Sequence, residues 1–350
     1  MSGAGAHVEW IESLSPWPTD GFGLGRMRAL LASLDDPQLA CPAIHVVGTT
    51  GKGTAVRTIE ELLRTERLRV GAYLSPHVSG WSERIRVEGG EADFEAAVAR
   101  IHLAAESLEA TQFEALTAAA FAEFAARGVD VAVIEAGLGG RYDATNVIDA
   151  PVVFLTNVAL EHTAVLGQTR EAIAREKLAV ADAAETVVLG EPEWRRLVMG
   201  KRVLDGGARE AAEAFLGRKI DAEVTVSLAG RLELRGDEVW DGAHTPEAAD
   251  WLLERLPDRD YVLCVSILRD KNAEGILQRF ARAGQSLVAT SSSNPRALPA
   301  KELALLAAPH FTHVETVPDP VAALARAREL GPVLVTGSLY LLADLYRNGA

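Results

Sequence analysis

A glycine-rich segment that follows a short apolar run is the part of the sequence best suited to chemistry. Residues 44–54 read Ile-His-Val-Val-Gly-Thr-Thr-Gly-Lys-Gly-Thr, and residues 53–67 have the pattern of a helix. In a strand–loop–helix unit the backbone N–H groups and the helix dipole favour an anion, and Lys52 adds a full positive charge. The spacing differs from the ordinary phosphate loop, because Val46 stands where that motif has a glycine. We therefore predict a nucleoside triphosphate site rather than a plain tight turn.

Three further polar residues come at or soon after the ends of predicted strands. Ser75, Glu135 and His162 follow the apolar segments 69–74, 129–134 and 151–156. Each has an ordinary explanation alone, as a turn serine, a capped surface acid or a buried histidine. Ligands of open α/β sheets bind at the carboxyl ends of the strands, so together with Lys52 and Thr54 these residues predict one site. A hydroxyl, a carboxylate and an imidazole can hold divalent metal against triphosphate oxygens. Because Mg²⁺ prefers oxygen ligands, His162 indicates a second, less strict metal position or a Mn²⁺-tolerant one.

The elements around these residues alternate in the first part of the chain. Helical periodicity covers residues 94–108, 112–127 and 169–181, and a further strand is predicted at 186–189. Thr169 is a candidate N-cap for the helix that carries Lys177. Strands that alternate with helices predict an α/β domain with a mostly parallel sheet, of the phosphate-loop ATPase type.

The pattern weakens after residue 190, where residues 194–228 are polar and partly glycine-rich. We place the domain junction there and predict domains at 1–222 and 223–350. The second part has strand-like segments at 232–240, 261–267, 286–290 and 332–336, and a helix over 246–255 that starts at Pro246. These segments predict a second, smaller α/β domain.

Composition limits the classes of function. The 350 residues carry a formal net charge of -14, which argues against nucleic-acid binding but not against a local cationic pocket. There is no apolar run of about 18 residues, and residues 1–20 lack the apolar core of a signal peptide, so we expect neither a membrane partner nor export. Cys41 and Cys264 lie far apart without metal-binding spacing. They predict two buried thiols in a reducing cytoplasm.

Several blocks, in order along the chain, resemble the folylpolyglutamate synthase/dihydrofolate synthase family of the Mur-ligase superfamily. The blocks are residues 45–54, Tyr-Leu-Ser-Pro-His at 73–77, Ser-Glu-Arg-Ile-Arg at 82–86, residues 135–146, 160–163, 173–177, 230–233, 241–244 and 336–340. The most specific is Glu-Ala-Gly-Leu-Gly-Gly-Arg-Tyr-Asp-Ala-Thr-Asn at 135–146.

The resemblance implies roles for individual residues. It implies that the ATP phosphates are bound by Gly48, Thr49, Thr50, Gly51, Lys52, Gly53 and Thr54. Ser75 and Glu135 would hold a first Mg²⁺, and His162 a second. Lys177, which in isolation is an ordinary helical lysine, would be carbamylated by CO₂ and act with Lys52 and His162 in catalysis. Arg231, Asp241 and His244 would reach the nucleotide from the second domain, and Ser338 is a candidate for contacting the incoming amino acid.

The implied reaction is an ATP-dependent ligation in folate biosynthesis. L-Glutamate would be joined to dihydropteroate, to (tetrahydro)folate, or to both, through an acyl phosphate that gives ADP and phosphate. We expect a cytoplasmic monomer whose partners are these small molecules. The alternatives are a superfamily ligase with another acceptor or amino acid, a catalytically impaired nucleotide-binding paralogue, and a simple NTPase switch.

The chain departs from the family pattern at several positions. Thr50, Glu161 and Thr245 replace the usual Asn, Asp and Asn, and Leu74 replaces a Thr. Residues 180–230 form a much shorter segment than in the family and lack the asparagine that touches adenine. We therefore expect a different contact to the base and a relaxed nucleotide preference.

Overall fold

The structure, a computed structural model, describes residues 5–19 and 21–350 and forms two compact units. The first unit comprises the chain up to Pro76 and Trp81–Val226, and the second comprises His77–Gly80 and Ser227–Ala350. Residues 1–4 and Asp20 lie outside the described residues. They belong to the segment 1–20, for which we predict that there is no signal peptide. The predicted domain boundary at 222/223 stays a prediction.

An eight-stranded sheet forms the centre of the first unit. Its strands are β1 (Ala43–Val47), β2 (Val70–Tyr73), β3 (Ile85–Val87), β4 (Gly90–Glu91), β5 (Val131–Glu135), β6 (Val152–Leu155), β7 (Thr186–Leu189) and β8 (Arg202–Asp205). The order is β4-β3-β2-β5-β1-β6-β7-β8, parallel except for β3 and β4 at one edge. The carboxyl ends of β1, β2, β5 and β6 therefore meet at one edge, which confirms the prediction of a mostly parallel sheet.

The helices of the first unit cover this sheet. They are α1 (Ala6–Ser13), α2 (Gly25–Ala32), α3 (Lys52–Thr65), α4 (Phe94–Ala99), α5 (His102–Ser107), α6 (Gln112–Arg127), α7 (Thr163–Leu166), α8 (Arg170–Leu178) and α9 (Ala208–Leu216). The helix α6 begins with a capping box between Thr111 and Glu114 and ends at Gly128 in the left-handed conformation. In α8 the Thr169 side chain accepts the Ala172 N–H, which confirms the predicted N-cap.

The second unit is a smaller α/β domain, as predicted. Its strands are β9 (Glu233–Arg235), β10 (Glu238–Trp240), β11 (Val262–Val265), β12 (Ser286–Ala289), β13 (His313–Thr316) and β14 (Val333–Thr336), in the order β13-β12-β11-β14-β10-β9. All pairs are parallel except β10 with β9. Its helices are α10 (Pro246–Leu253), α11 (Ala273–Phe280), α12 (Ala300–Ala307), α13 (Pro320–Leu330) and α14 (Leu339–Arg347).

One prediction about elements is wrong, and two elements were not predicted. The single helix expected over residues 94–108 is two short helices, α4 and α5, separated at Arg100 and Ile101. The stretch 194–228, for which no element was predicted, contains β8 and α9. The strand β8 lies at the sheet edge with exposed ends, so it lacks the apolar run that marks a buried strand. Within the described residues no helix is long and apolar enough to span a bilayer.

Candidate active site

The phosphate loop joins β1 to α3 and requires glycine at two positions. Gly48 has φ +145° and Gly51, the N-cap of α3, has φ +77°, which are conformations that other residues rarely adopt. A Cβ on Gly48 would also lie 1.9 Å from Thr156 Oγ1. The N–H groups of the first turn of α3 have no partner within the helix, so they are available to an anion.

The loop is held from the side by residues that follow β6. The N–H of Thr50 donates to Asn157 Oδ1 (2.9 Å), and Asn157 Nδ2 donates to Thr50 Oγ1 (2.8 Å). Thr156 Oγ1 donates to the Thr50 carbonyl (2.8 Å), and the Ala159 N–H donates to Thr49 Oγ1 (3.0 Å). The loop conformation is therefore fixed by protein contacts alone. The sequence analysis did not assign this role to Thr156 and Asn157.

Lys52 lies at the start of α3 and folds over the loop. Its Nζ donates to the carbonyl of Gly48 (3.0 Å) and to that of Thr49 (3.2 Å). An ammonium group has three donors, so one remains for a phosphate oxygen while these two contacts hold the side chain in place. The role of Lys52 at the phosphates stays a prediction.

Ser75 and Glu135 come together, as their positions at the ends of β2 and β5 predict. The Ser75 N–H donates to Glu135 Oε2 (3.0 Å), and the Glu135 side chain is buried. Their hydroxyl and carboxylate oxygens are the kind of ligand that Mg²⁺ and Mn²⁺ prefer, so this pair fits a divalent cation with oxygens of a bound nucleotide.

His162 is an exposed residue at the N-cap of α7, with φ +45°. Across the described residues no group of three His, Cys, Asp or Glu side chains has the arrangement of a metal site. His162 therefore lies after β6, as predicted, but it does not form a three-residue metal-binding group with Glu135 among the described residues.

Lys177 is the most deeply buried charged group near the loop, with 2% of its surface exposed. Its Nζ donates to the carbonyl of Gly48 (2.9 Å) and to Glu161 Oε1 (2.8 Å). Periodicity alone would have left this lysine on a solvated helix face, and only the resemblance indicated a site residue. The structure brings it to the same carbonyl oxygen that Lys52 contacts.

The pair of Lys177 and Glu161 has perturbed pKa values. Burial lowers the pKa of Lys177 below the usual lysine range, and the Glu161 carboxylate opposes that shift. Burial would raise the pKa of Glu161, but the positive charges of Lys177 and Lys52 hold it below its usual value. A buried charge needs a partner, and Glu161, noted in the sequence only as a departure from the family, is that partner.

The candidate residues of the second unit lie on three neighbouring chain segments. Asp241 follows β10, is buried, and accepts the N–H groups of Leu232 (2.7 Å) and Ala243 (2.8 Å). Burial raises the pKa of Asp241, while the Leu232 N–H, the positive charge of Arg231 and the Ala243 N–H favour its charged form. Oδ2 therefore holds the backbone next to Arg231, and Oδ1 holds the turn of Asp241 itself.

His244 lies in the turn that follows β10, and Ser338 lies on the neighbouring segment that follows β14. His244 Nδ1 is 2.7 Å from the Gly242 carbonyl, and the Gly337 N–H donates to the Ala243 carbonyl (3.0 Å). Ser338 is buried and caps α14 by accepting the Tyr340 N–H (3.2 Å). The structure therefore brings Arg231, Asp241, His244 and Ser338 to one region of the second unit.

Comparison with known proteins gives matches over nearly the whole chain. Residues 230–339 match the family model described as Mur ligase, glutamate ligase domain. The dihydrofolate synthase/folylpolyglutamate synthase of Escherichia coli (strain K12) is 30% identical, covering 97% of this chain and 93% of that protein. The chain belongs to the dihydrofolate synthase/folylpolyglutamate synthase family. Membership confirms the resemblance and makes the protein an ATP-dependent ligase.

Solved structures of the family have the same fold. The Escherichia coli structure described as FolC in complex with DHPP and ADP has a TM-score of 0.85 at 28% identity and covers 99% of this chain and 98% of its own. A Yersinia pestis family structure complexed with AMPPNP and Mn ion has a TM-score of 0.83 at 26% identity and covers 97% and 96%. The alignment with the Escherichia coli sequence spans 397 positions, more than the 350 residues of this chain, so that relative carries insertions.

Proposed function

We propose that this family member joins L-glutamate to dihydropteroate, to (tetrahydro)folate, or to both, at the expense of ATP. The observation that carries the proposal is the pair of lysines, Lys52 and Lys177, on the Gly48 carbonyl of the phosphate loop. A nucleotide-binding turn needs only the first of them. The second is buried, paired with Glu161 and has a lowered pKa, as is typical of a group that takes part in chemistry.

The reaction begins with the acceptor carboxylate, which is a poor electrophile. Its oxygen attacks the γ-phosphorus of ATP, ADP leaves, and an acyl phosphate forms. The α-amine of glutamate then attacks the acyl carbon, phosphate leaves, and an amide results. Gly48–Thr54 bind the phosphates, and Lys52 neutralises charge that develops on the transferred phosphoryl group, which is the largest expected contribution in such chemistry.

Divalent metal fits the oxygen donors of Ser75 and Glu135. These residues would hold a first Mg²⁺, and His162 would take part in a second site. When bound, the metal neutralises phosphate oxygens and orients them for in-line transfer. The chain contributes the Ser75 N–H, which fixes the orientation of the Glu135 carboxylate.

Lys177 is proposed to carry a carbamate in the active enzyme. Its neutral amine adds to CO₂ with loss of a proton, and the lowered pKa raises the neutral fraction. A carbamate beside Glu161 would bring two negative charges together, and Lys52 with a cation at the proposed second metal site would offset them.

The second unit is proposed to contribute Arg231, Asp241 and His244 to nucleotide binding and Ser338 to glutamate. The support is the hydrogen bonding between the three chain segments that carry them, and the match of residues 230–339 to the glutamate ligase domain. The base contact is proposed to differ from that of longer relatives. We also propose a cytoplasmic monomer without nucleic-acid or membrane partners, in keeping with the net charge of -14.

The function is tested by measuring phosphate release from Mg-ATP with L-glutamate and either dihydropteroate or tetrahydrofolate, leaving out each component in turn. Release that needs both glutamate and dihydropteroate establishes dihydrofolate synthase activity, and release with tetrahydrofolate adds polyglutamate synthesis. Release that is independent of glutamate, or absent with both acceptors, would contradict the proposal. Aspartate in place of glutamate serves as the matched control.

A further inference from the structure

The segment between Glu135 and Asn146 is the most specific block of the sequence, yet only Glu135 has a role in the proposed function. The rest forms a loop, Leu138–Asn146, that packs against the C-terminal end of α8. A Cβ placed on Gly140 would lie 2.5 Å from the Lys177 carbonyl oxygen and 2.7 Å from that of Glu176. Contacts this short do not occur, so the loop backbone touches the backbone of Lys177 only because residue 140 is glycine.

The loop also provides a hydrogen-bond donor for a backbone carbonyl at the C-terminal end of α8. The last carbonyl groups of a helix have no partner within it, and the Arg141 N–H donates to the Glu176 carbonyl (3.2 Å). The Arg141 side chain pairs with Glu176 Oε2 at 3.3 Å. The end of α8 is therefore held by the loop at the residue beside Lys177.

A buried hydrogen-bond chain fixes the loop to the strand that leads into the phosphate loop. Asp143 accepts the Leu138 N–H (2.7 Å) and the Thr145 hydroxyl, and Thr145 Oγ1 lies 2.8 Å from His45 Nε2. Because Thr145 donates to Asp143, it accepts from His45, whose ring is neutral since burial lowers its pKa to about 3. His45 lies on β1, three residues before Gly48.

These contacts close a circuit within the first unit. It runs from His45 on β1 through Thr145 and Asp143 to Gly140, then to the Lys177 backbone, and returns through Lys177 Nζ to the Gly48 carbonyl. A lysine side chain has four rotatable bonds, so its ammonium is placed only if its Cα is fixed. The circuit fixes that Cα relative to the phosphate loop.

We propose that the Leu138–Asn146 loop positions Lys177 on the phosphate loop, with Gly140 as the positioning residue and the His45–Thr145–Asp143 chain as its anchor. The inference rests on the proposed role of Lys177. The loop is not proposed to touch a reacting atom. It positions Lys177 by holding the C-terminal end of α8.

Gly140→Ala tests the contact, because the added methyl must push the end of α8 away. We expect kcat to fall about ten-fold or more and the Kd for Mg-ADP to rise about five-fold, with less change in KM for the acceptor. Gly284→Ala is the matched control, since its Cβ would lie 1.8 Å from the Tyr261 carbonyl oxygen in the second unit. The control should lower the melting temperature similarly while kcat stays within about two-fold.

A double-mutant cycle separates positioning from general damage. Mg-ADP affinity, measured by calorimetry, needs no turnover and can be obtained for wild type, Gly140→Ala, Lys177→Ala and the double variant. We expect Gly140→Ala to change the Kd by less than about two-fold once Lys177 is alanine, because the contact it disturbs is gone. An equal change in both backgrounds would overturn the proposal.

A gentler pair covers the case in which Gly140→Ala does not fold. Thr145→Val removes the hydroxyl between His45 and Asp143 but keeps the shape, and Thr145→Ser keeps the hydroxyl. We expect Thr145→Val to raise the Kd for Mg-ADP about three-fold and Thr145→Ser to keep the wild-type Kd. Equal Kd values for the two variants would contradict the proposal that the His45–Thr145–Asp143 chain anchors the loop.

If Lys177→Ala binds Mg-ADP and turns over normally, the proposed role of Lys177 fails, and the positioning proposal fails with it. If the cycle holds but phosphate release needs no glutamate, only the proposed function fails.

Discussion

Lys52 and Lys177 donate to the same carbonyl oxygen, that of Gly48, at 3.0 and 2.9 Å. Two ammonium groups beside one backbone carbonyl repel each other unless negative charge is near. Glu161 supplies one negative charge, and a triphosphate would supply more. The arrangement is therefore best satisfied with an anion on the loop, which favours the nucleotide interpretation over a structural turn.

Lys52→Ala should abolish turnover while the protein still folds. The side chain bonds its own loop, and its proposed role is to neutralise negative charge on the transferred phosphoryl group, so we expect kcat to fall about 1,000-fold. Phosphate release measures the effect, and circular dichroism checks the fold. Lys301→Ala, on an exposed face of α12, is the control. Near-normal activity of Lys52→Ala would remove the phosphate-loop assignment.

Lys177→Ala should also lose turnover, by about 100-fold, and acetate or another short carboxylate should partly restore it. The physical reason is that a free carboxylate can occupy the space of the proposed carbamate. The measurement is phosphate release at increasing acetate, with chloride at equal ionic strength as the control. Wild-type rates without additive would show that the carbamate has no role in turnover.

At the scale of elements, the phosphate loop depends on the residues after β6 as much as on its own glycines. Asn157 bonds Thr50 through both ends of its amide, at 2.9 Å and 2.8 Å. Thr50 stands where the family usually has an asparagine, and Asn157 holds its hydroxyl. The threonine at residue 50 therefore keeps a hydrogen-bond partner, Asn157, on the segment that follows β6.

Asn157→Ala should raise the KM for ATP about five- to ten-fold with a smaller effect on kcat. The variant loses both hydrogen bonds to Thr50, so the loop binds ATP less well, while the residues proposed to act in catalysis stay in place. Steady-state kinetics with varied ATP test this. Asn348→Ala, which removes a bond to the Asp344 carbonyl at the end of α14, is the control. An unchanged KM for ATP would mean that the loop holds its shape without Asn157.

The sequence predicts which sheet edge carries the candidate site, because the carboxyl ends of parallel strands lie side by side. This argument alone brings Ser75 to Glu135 and both to the edge that carries Lys52. It does not find Lys177, whose contact with Gly48 depends on how α8 packs, and only the resemblance indicated it. Nor does it find β8, a short edge strand with exposed ends, or α9, whose buried face consists of Ala211, Ala212 and Glu213 rather than of large apolar residues.

At the scale of the whole molecule, two free thiols report on the integrity of the fold. Burial raises the pKa of Cys41 to about 11 and of Cys264 to about 12. At pH 8 less than about 0.1% of either thiol is ionised, so both should react slowly with a disulfide reagent in the native protein and promptly in denaturant. Cys264, the fully buried thiol, should be the slower. Rapid native labelling of Cys264 would contradict the packing of the second unit.

The net charge of the chain and the charge of Lys52 on the phosphate loop have opposite signs. A net charge of -14 disfavours nucleic acid, while Lys52 places positive charge at the loop where the phosphates would lie. The central claim that unites these features is the phosphorylation of a carboxylate before the amide forms.

The most direct test of that claim is the fate of oxygen from the acceptor carboxylate. The acceptor is labelled with ¹⁸O in its carboxylate and turned over with Mg-ATP and L-glutamate, and the released phosphate is analysed by mass spectrometry. An acyl phosphate leaves one carboxylate oxygen on phosphorus, so the account predicts one ¹⁸O in each phosphate released. Glutamate-dependent release of unlabelled phosphate would contradict it.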